Sequence, residues 1–226
     1  MKKNYIHETC LSIIVELANN KRNQNAAFFT NKFLIEEIIK KLPLFDNKKK
    51  ISIIEPSVGA GNFLPYIFQK YAKKEKVDLT LVEIDPDMVE ILQIIYDKTS
   101  IPKNFNLKFI CQDFLKLKHE KVDLIIGNPP FNKAKNKEQK IILKDFKTPA
   151  NNNLASFFLE KSLNQARYVS LIMPKNFLSA PIYDKIREQI KIQSILDIID
   201  FGNKGFEGVS LETINFMVDN KKNLRN

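Results

Sequence analysis

The sequence feature that most constrains the fold is Asn128-Pro129-Pro130-Phe131, which directly follows the apolar run Val122–Gly127. An apolar, β-branched run that stops at glycine and two prolines predicts a buried parallel strand whose carboxyl end opens into a rigid loop. Open α/β sheets bind their ligands at that edge. The prolines remove two backbone donors, so the loop offers carbonyl oxygens and an Asn side chain beside an aromatic ring. Such acceptors suit a planar amino group, although the motif by itself favours an ordinary turn after a strand, and only the motifs around it reverse that preference.

An earlier strand is followed by a glycine turn that suits a small cationic ligand. The apolar strand at 51–55 leads into a turn and a helical pattern that reaches residue 71, and the turn contains Pro56, Gly59 and Gly61. Strand, glycine turn and helix form the first half of a nucleotide-binding unit. Leu64 occupies the place where a dinucleotide fingerprint needs its third glycine, which argues against a pyrophosphate. The Glu55 carboxylate suits an ammonium group, and S-adenosylmethionine carries an ammonium, a carboxylate and a ribose but no phosphate.

Acidic residues follow the next two predicted strands. Glu83 ends the second strand, where a ribose diol is usually held, although an exposed strand end is the other interpretation. Asp85 precedes Pro86 and predicts a helix cap. After the third strand, Asp113 can accept a hydrogen bond from an adenine amino group while Phe114 packs on the ring. The alternative for that pair is a turn with Phe114 in the core.

These motifs, in this order, resemble the gamma-class amino-methyltransferases that methylate the N6 of adenine in DNA in bacterial restriction–modification systems. The resemblance runs from about residue 25 to residue 218 and includes Phe28-Phe29-Thr30, which matches an aromatic-Thr element of that family. It implies S-adenosylmethionine as cofactor and double-stranded DNA as substrate. The residues that it implies for the cofactor are Phe29, Thr30, Glu55, Pro56, Gly59, Gly61, Glu83, Ile84, Asp113, Phe114 and Asn128. Those that it implies for catalysis are Asn128, Pro129, Pro130 and Phe131.

The mechanism that the resemblance implies is a direct transfer. An adenine amino nitrogen is a poor nucleophile because its lone pair is delocalised into the ring. If the Asn128 side chain and the Pro129 carbonyl accept its two hydrogens, the nitrogen can pyramidalise toward the sulfonium methyl. Phe131 would stack on the base, which must leave the duplex to reach the pocket. No covalent intermediate is expected, because neither Cys10 nor Cys111 lies in this loop.

The expected fold is an α/β, Rossmann-like S-adenosylmethionine-dependent methyltransferase fold, with a mostly parallel seven-stranded sheet and helices on both faces. Residues 1–45 form an N-terminal helical segment that completes the cofactor site, with helices at 6–17 and 32–42. Residues 46–219 form the catalytic domain, and 220–226 a polar tail. The remaining helix is predicted at 153–166, and the later strands at 168–173, 192–201 and 211–218.

Composition is compatible with these expectations. The net charge of +10 suits a polyanion such as DNA, but the chain is rich in lysine throughout, so the charge is only permissive. Two cysteines and two histidines without ligand spacing lead us to expect no metal. The sequence has no secretory signal and no apolar run long enough to cross a bilayer. We therefore expect a cytoplasmic protein that does not interact with a membrane.

Two further features concern DNA recognition. The connecting segment, residues 132–153, is polar, rich in lysine and almost without a core pattern. A connection of that length is usually functional or mobile, so we expect a flexible segment that faces DNA or covers the cofactor, with plain disorder as the alternative. The resemblance also implies a target-recognition domain, for which we find no segment in these 226 residues. A separate target-recognition chain is a possible partner.

Other functions remain open on the sequence alone. Glutamine N5 methyltransferases acting on release factors carry Asn-Pro-Pro-Tyr in the corresponding place, and a glutamine side-chain amide is electronically similar to an adenine amino group. Phe131 instead of tyrosine and the upstream Phe29-Thr30 favour DNA. An RNA adenine N6 methyltransferase is another alternative. A non-catalytic module that keeps the fold and binds DNA or a partner is the third.

Overall fold

A seven-stranded sheet organises the residues that the computed structural model describes, which are 32–99, 101–134, 137–149, 152–203 and 211–220. The predicted strands are all present, with bounds that differ from the prediction by a few residues. The strands are β1 Lys50–Glu55, β2 Lys76–Glu83, β3 Phe105–Cys111, β4 Val122–Gly127, β5 Ala166–Pro174, β6 Ser194–Gly202 and β7 Thr213–Asp219.

The sheet is mixed and not purely parallel. Its order is β3-β2-β1-β4-β5-β7-β6, and the first five of these strands pair in parallel. Strand β7 runs antiparallel to both of its neighbours, β5 and β6. The predicted number of seven strands is therefore confirmed, and so is the parallel direction of the strands that carry the motifs. The prediction is corrected at β7, which is antiparallel to its neighbours. The chain order reverses between β1 and β4, which is where such sheets bind their ligands.

Helices cover both faces of the sheet, as predicted. The α-helices are α1 Lys32–Lys41, α2 Leu64–Lys70, α3 Pro86–Lys98, α4 Lys137–Ile142, α5 Leu154–Gln165 and α6 Asp184–Ile190. Buried side chains of α1, α2 and α3 pack on one face, and those of α5 and α6 on the other. None of the described helices is long and apolar enough to cross a membrane.

Local sequence explains where the main elements begin. The Asp85 carboxylate accepts a hydrogen bond from the backbone N–H of Asp87, which confirms the predicted cap of α3. Asn153 caps α5 in the same way by accepting from the N–H of Ser156. Strand β4 is buried from Asp123 to Gly127, because a central strand of a sheet covered on both faces meets no solvent.

The connecting segment is more ordered than the sequence predicted. It contains α4 and a short 3-10 helix at Leu143–Asp145, and Leu143 is 1% exposed within the core that α5 also joins. The ring of Phe146 meets that of Phe157 edge-on at 5.5 Å. The weak core pattern of this segment therefore conceals buried side chains in the part that the structure describes. One buried leucine and one phenylalanine between lysines give too weak a periodicity to be recognised.

At the two ends of the chain, the structure covers only part of the predicted segments, and it changes the prediction for Asn220. Residues 1–31, with the predicted helix at 6–17, lie outside the described residues, as do 221–226. Asn220, which we assigned to the polar tail, is instead fully buried, and its side-chain amide donates to the carbonyls of Leu163 and Ala166. Those two carbonyls belong to the end of α5 and the start of β5, so Asn220 fastens the end of β7 to the sheet.

Leu143→Ala should lower the free energy of unfolding by about 2–5 kcal/mol, because it removes a fully buried side chain from the core and leaves a cavity. Urea denaturation of the purified chain measures this loss. Ile141→Ala is the matched control, since the Ile141 side chain is 63% exposed two residues earlier, and it should change stability by no more than about 0.5 kcal/mol. Equal stability of the two variants would mean that the connecting segment does not pack on the core.

Candidate active site

The candidate site lies at the carboxyl edge of the parallel half of the sheet, where β1, β2, β3 and β4 all end. In the strand register, Ile54 lies beside Ile125 on one side and Thr80 on the other. Strands that run in parallel and in this register deliver their following loops to the same edge. The order β3-β2-β1-β4 therefore brings together four motifs that are separated by up to about seventy residues in the chain.

The turn after β1 is shaped by its two glycines. Gly59 has φ +52° and Gly61 has φ +76°, a conformation that residues with a Cβ adopt only under strain. A Cβ on Gly61 would also lie 3.1 Å from Leu64 and 3.3 Å from Leu92, so the turn packs tightly on α2 and α3. The backbone N–H of Val58 donates to the carbonyl of Val82 at 3.0 Å, which ties the turn to β2. Gly59 is half-buried and Gly61 is buried, and at neither position does a side chain stand between the backbone and a ligand.

Glu55 is a buried carboxylate at the end of β1. Its side chain is 1% exposed, and its Oε2 atom has no hydrogen-bond partner among the described residues. Burial, and secondarily the negative charge of Glu83, raise the pKa of Glu55 well above its ordinary value. A buried acceptor without a partner is costly unless a ligand supplies the donor. The ammonium group of S-adenosylmethionine fits this requirement, and the residues present therefore fit that cofactor.

Glu83 is held by backbone donors at the end of β2. One oxygen accepts from the N–H of Gly59 at 3.0 Å, and the other accepts from the N–H groups of Ile84 and Asp85 at 2.8 and 3.1 Å. Burial nevertheless raises the pKa of Glu83, while these hydrogen bonds oppose that change. The interpretation as a freely exposed strand end is therefore not supported. The carboxylate still has lone pairs that can accept from a ribose diol, and the Ile84 side chain beside it is 54% exposed.

In the loop after β3, Asp113 caps a short helix, whereas Phe114 is buried in the core. Asp113 caps the 3-10 helix Phe114–Lys116 by accepting from the N–H of Leu115 at 2.9 Å. Phe114 is 1% exposed and packs against Phe158 with ring centroids 5.1 Å apart. These contacts are the ones expected for the core alternative, so an adenine contact of Phe114 stays a prediction.

A buried lysine supports that loop from the opposite side. Lys161 is 8% exposed in α5, and its ammonium group donates to the carbonyls of Leu115 and Leu117 at 2.9 and 2.6 Å. The same group lies 5.1 Å from the centroid of the Phe114 ring. Burial lowers the pKa of Lys161 to about 8, although the nearby Asp113 carboxylate opposes this shift. Sequence reasoning missed Lys161, because nothing in a helical pattern distinguishes a buried lysine from an exposed one.

The loop after β4 is fastened to the glycine turn. The Ser57 hydroxyl donates to the backbone carbonyl of Asn128 at 2.9 Å. A Cβ on Gly127 would lie 3.1 Å from the Pro56 ring, so a side chain there would push the two loops apart by a few tenths of an ångström. Ser57 was not among the predicted site residues, although its place between Pro56 and the glycines could have indicated it.

The Asn-Pro-Pro-Phe residues are partly exposed at this edge. Pro129 is buried, whereas Asn128, Pro130 and Phe131 are each half-buried. The Phe131 ring packs against both hydrophobic cores, so its orientation is restricted by the sheet edge. Of the predicted site residues, the structure thus brings together all those from Glu55 to Phe131. Phe29 and Thr30 lie outside the described residues.

A metal site is not evident in the ranges that the structure describes. No group of three or more histidine, cysteine, aspartate or glutamate side chains there has an arrangement that could hold a metal ion. Cys111 is a free, exposed thiol at the end of β3.

Comparison with solved structures identifies the class of protein. The chain superposes on a crystal structure from Listeria monocytogenes described as a class I S-adenosylmethionine-dependent methyltransferase, with a TM-score of 0.72, 17% identity and coverage of 95% of this chain and 68% of that one. It also matches the type IIG restriction endonuclease BpuSI, with a TM-score of 0.64, 19% identity and coverage of 91% and 27%. With the strand order and the glycine turn, these likenesses define the fold of the S-adenosylmethionine-dependent methyltransferases.

Sequence comparison then gives the family. Residues 6–206 match the Eco57I restriction-modification methylase family, and the chain belongs to that family. The modification methylase CviBIII of Paramecium bursaria Chlorella virus NC1A is 28% identical over 191 residues, which are 82% of this chain and 46% of that protein. The type II methyltransferase M.VspI of Vibrio sp. (strain 343) is 27% identical over 218 residues, or 92% of this chain and 52% of that protein. M.HincII of Haemophilus influenzae is 31% identical over 219 residues, or 92% and 39%.

These comparisons bear on the predictions in two ways. The predicted resemblance to restriction–modification methylases is confirmed, and S-adenosylmethionine is confirmed as the methyl donor that this fold and family imply. The chain spans about half or less of the length of these curated relatives.

The raised pKa of Glu55 predicts that the chain releases a proton when it binds S-adenosylmethionine. Above the ordinary carboxyl pKa of 4.5, the buried group of the free protein keeps its proton, whereas an ammonium ligand favours the ionised form. Calorimetry at mildly acidic pH, in buffers with different ionisation enthalpies, measures the protons released.

Glu55→Gln should abolish this proton release and weaken cofactor binding, because the amide cannot ionise. Glu90→Gln is the control, since Glu90 is exposed on α3 and should leave both quantities unchanged. Identical binding heats in all buffers for the unaltered chain would contradict an ionisation of Glu55 on binding.

Proposed function

We propose that this chain is the catalytic part of a DNA methyltransferase that transfers a methyl group from S-adenosylmethionine to the N6 amino group of adenine. The observation that carries the proposal is the hydrogen bond from the Ser57 hydroxyl to the backbone carbonyl of Asn128, which joins the glycine turn to the Asn-Pro-Pro-Phe loop. It couples a cofactor cradle to a cluster of hydrogen-bond acceptors within one rigid unit. Membership of a restriction-modification methylase family supports DNA as the substrate.

The cofactor is held by the residues at the ends of β1, β2 and β3. Glu55 binds the ammonium group, because its buried Oε2 atom has no partner among the described residues. Glu83 binds the ribose hydroxyls, and Asp113 accepts from the adenine amino group. When bound, S-adenosylmethionine supplies an electrophilic methyl group on a sulfonium. Phe29 and Thr30 would complete the site from the N-terminal segment.

The loop after β4 holds the target amino group. The Asn128 side-chain oxygen and the Pro129 carbonyl accept the two amino hydrogens, which turns the nitrogen lone pair toward the methyl group. The prolines restrict φ, and the Ser57 hydroxyl holds the backbone carbonyl of Asn128. The loop that carries the two acceptors is therefore already oriented before the base arrives. S-adenosylmethionine would supply the methyl group at this point, and the amino nitrogen would lose one proton to solvent as it becomes methylated. Most of the catalysis is orientation and electrostatic positioning.

Phe131 captures the base. An adenine inside a duplex is stacked between its neighbours, so it must swing out before its amino group can reach Asn128. A half-buried ring that packs on two cores offers a fixed surface on which the base can stack. The longer relatives contain additional sequence, and we infer that recognition of a particular DNA site depends on a further domain or a separate chain.

The substrate is tested by single-turnover transfer from labelled S-adenosylmethionine. We compare adenine-containing duplexes, duplexes built only of G·C pairs, RNA, and a release-factor peptide that contains glutamine. Label on the N6 of adenine in DNA is the expected result. Label on cytosine, RNA or the peptide, and never on DNA adenine, would overturn the substrate assignment while leaving the cofactor site intact.

Asn128→Ala should separate chemistry from cofactor binding. The fold and the affinity for S-adenosylmethionine should change little, whereas single-turnover methyl transfer should fall by at least about 100-fold, comparable to the loss of one preorganised polar contact. Asn176→Ala is the control, since Asn176 is an exposed amide at the same edge of the sheet and should leave transfer unchanged. Undiminished methyl transfer by the Asn128→Ala chain would contradict the proposed mechanism.

A further inference from the structure

The connecting segment carries the strongest local excess of positive charge next to the candidate active site. Between residues 133 and 149 the sequence has six lysines and two acidic residues, and it begins two residues after Phe131. Five of these lysines are described, and all five side chains are exposed: Lys133, Lys137, Lys140, Lys144 and Lys147. The function of the catalytic loop does not by itself require this charge.

The structure fixes the connecting segment at both ends. The N–H of Leu154 donates to the carbonyl of Asn132 at 2.8 Å, and Lys133 forms a β-bridge with Asn153. The buried Glu160 carboxylate accepts from the N–H groups of Lys147 and Thr148 at 2.7 and 2.8 Å. With Leu143 packed in the core between these anchors, the lysine side chains are held outward on a fixed support.

Helical spacing places three of the lysines on one side. Lys137 and Lys140 lie three residues apart in α4, and Lys144 follows four residues later in the adjoining 3-10 helix. Residues at these offsets share one face of a helical path. The three lysines therefore share one side of a helical path that follows the catalytic loop in the chain, and a row of cations suits a row of phosphates.

Ion pairing distinguishes this row from other lysines of the chain. Lys41, Lys48, Lys49, Lys76, Lys175 and Lys191 each form an ion pair with a carboxylate. Within the described ranges, none of the five lysines of the connecting segment has such a pair. Their charge is therefore left for an external anion.

We propose that Lys137, Lys140 and Lys144 bind the phosphate backbone of duplex DNA next to the flipped target base. This inference deepens the proposed function and rests on it. The contacts would be independent of sequence and would hold the duplex while the base enters the pocket. The connecting segment would thus provide affinity and register, whereas site recognition would come from elsewhere.

The test is the salt dependence of DNA binding by the 226-residue chain, measured by fluorescence anisotropy of a labelled duplex. The variant carries Lys137→Gln, Lys140→Gln and Lys144→Gln. Each lost phosphate contact reduces the slope of log K against log salt by about 0.9, so a reduction of about two to three is expected, with at least about tenfold weaker binding at low salt. S-adenosylmethionine affinity should be unchanged. Arginine at the same three positions should restore the slope.

The matched control carries Lys73→Gln, Lys98→Gln and Lys103→Gln. These lysines are also exposed, but they lie near the amino ends of β2 and β3, at the opposite edge of the sheet. The control has the same net charge as the test variant and should keep the slope of the unaltered chain. Equal losses in the two variants would show a general charge effect and would overturn the proposal.

Three other results would also overturn the proposal. The first is an unchanged slope of log K against log salt in the test variant, and the second is no duplex binding by the unaltered chain at low salt. The third is a change of this slope that appears with RNA and not with duplex DNA. The proposed function fails separately. Normal salt-dependent binding without label on adenine would count against the methyl transfer alone. Label on adenine with an unchanged slope would count against the lysine row alone.

Discussion

The structure depends on two carboxyl groups at the ends of neighbouring parallel strands, of which Glu55 is buried and Glu83 is half-buried. Burial raises the pKa of both carboxyl groups, and the negative charge of Glu83 adds to the rise at Glu55. Backbone N–H groups offset this cost only at Glu83, which is why the glycine turn must bring Gly59 to that carboxylate. The uncompensated oxygen of Glu55 is left for a cationic ligand. The cost of a buried carboxyl group without a hydrogen-bond partner is thus retained at the place where binding can relieve it.

A second constraint joins the cofactor side to the target side. Gly127 allows β4 to approach Pro56, and the Ser57 hydroxyl holds the carbonyl of Asn128. A direct transfer gains most of its rate from the relative position of two reacting groups, so errors in that position are expensive. Neighbouring strands of one sheet are among the most rigid supports that a chain can offer. The connecting segment that follows is anchored to the core by Leu143 and to α5 by Glu160.

Much of this site could be predicted because its signals are local. Buried strands of β-branched residues, glycine at positive φ and a proline pair after a strand each depend on a few adjacent residues. The direction of β7 could not be predicted, because an apolar strand has the same pattern whichever way it runs. The burial of Asn220 could not be predicted either. It depends on hydrogen bonds to two carbonyls at the junction of α5 and β5, which are far from Asn220 in the sequence. The ordered connecting segment was missed for a similar reason.

The sequence by itself determined the class of fold, the family resemblance and the chemical types at the sheet edge, because these follow from residue patterns within single elements. Only the tertiary structure decided which groups meet. It set the Ser57 hydroxyl against Asn128, placed the Lys161 ammonium under the loop of Asp113, and buried Phe114 in the core. The physical reason is that pairing of strands and packing of helices join residues that are far apart in the chain. Periodicity records which face of an element is buried, but it does not record what that face meets.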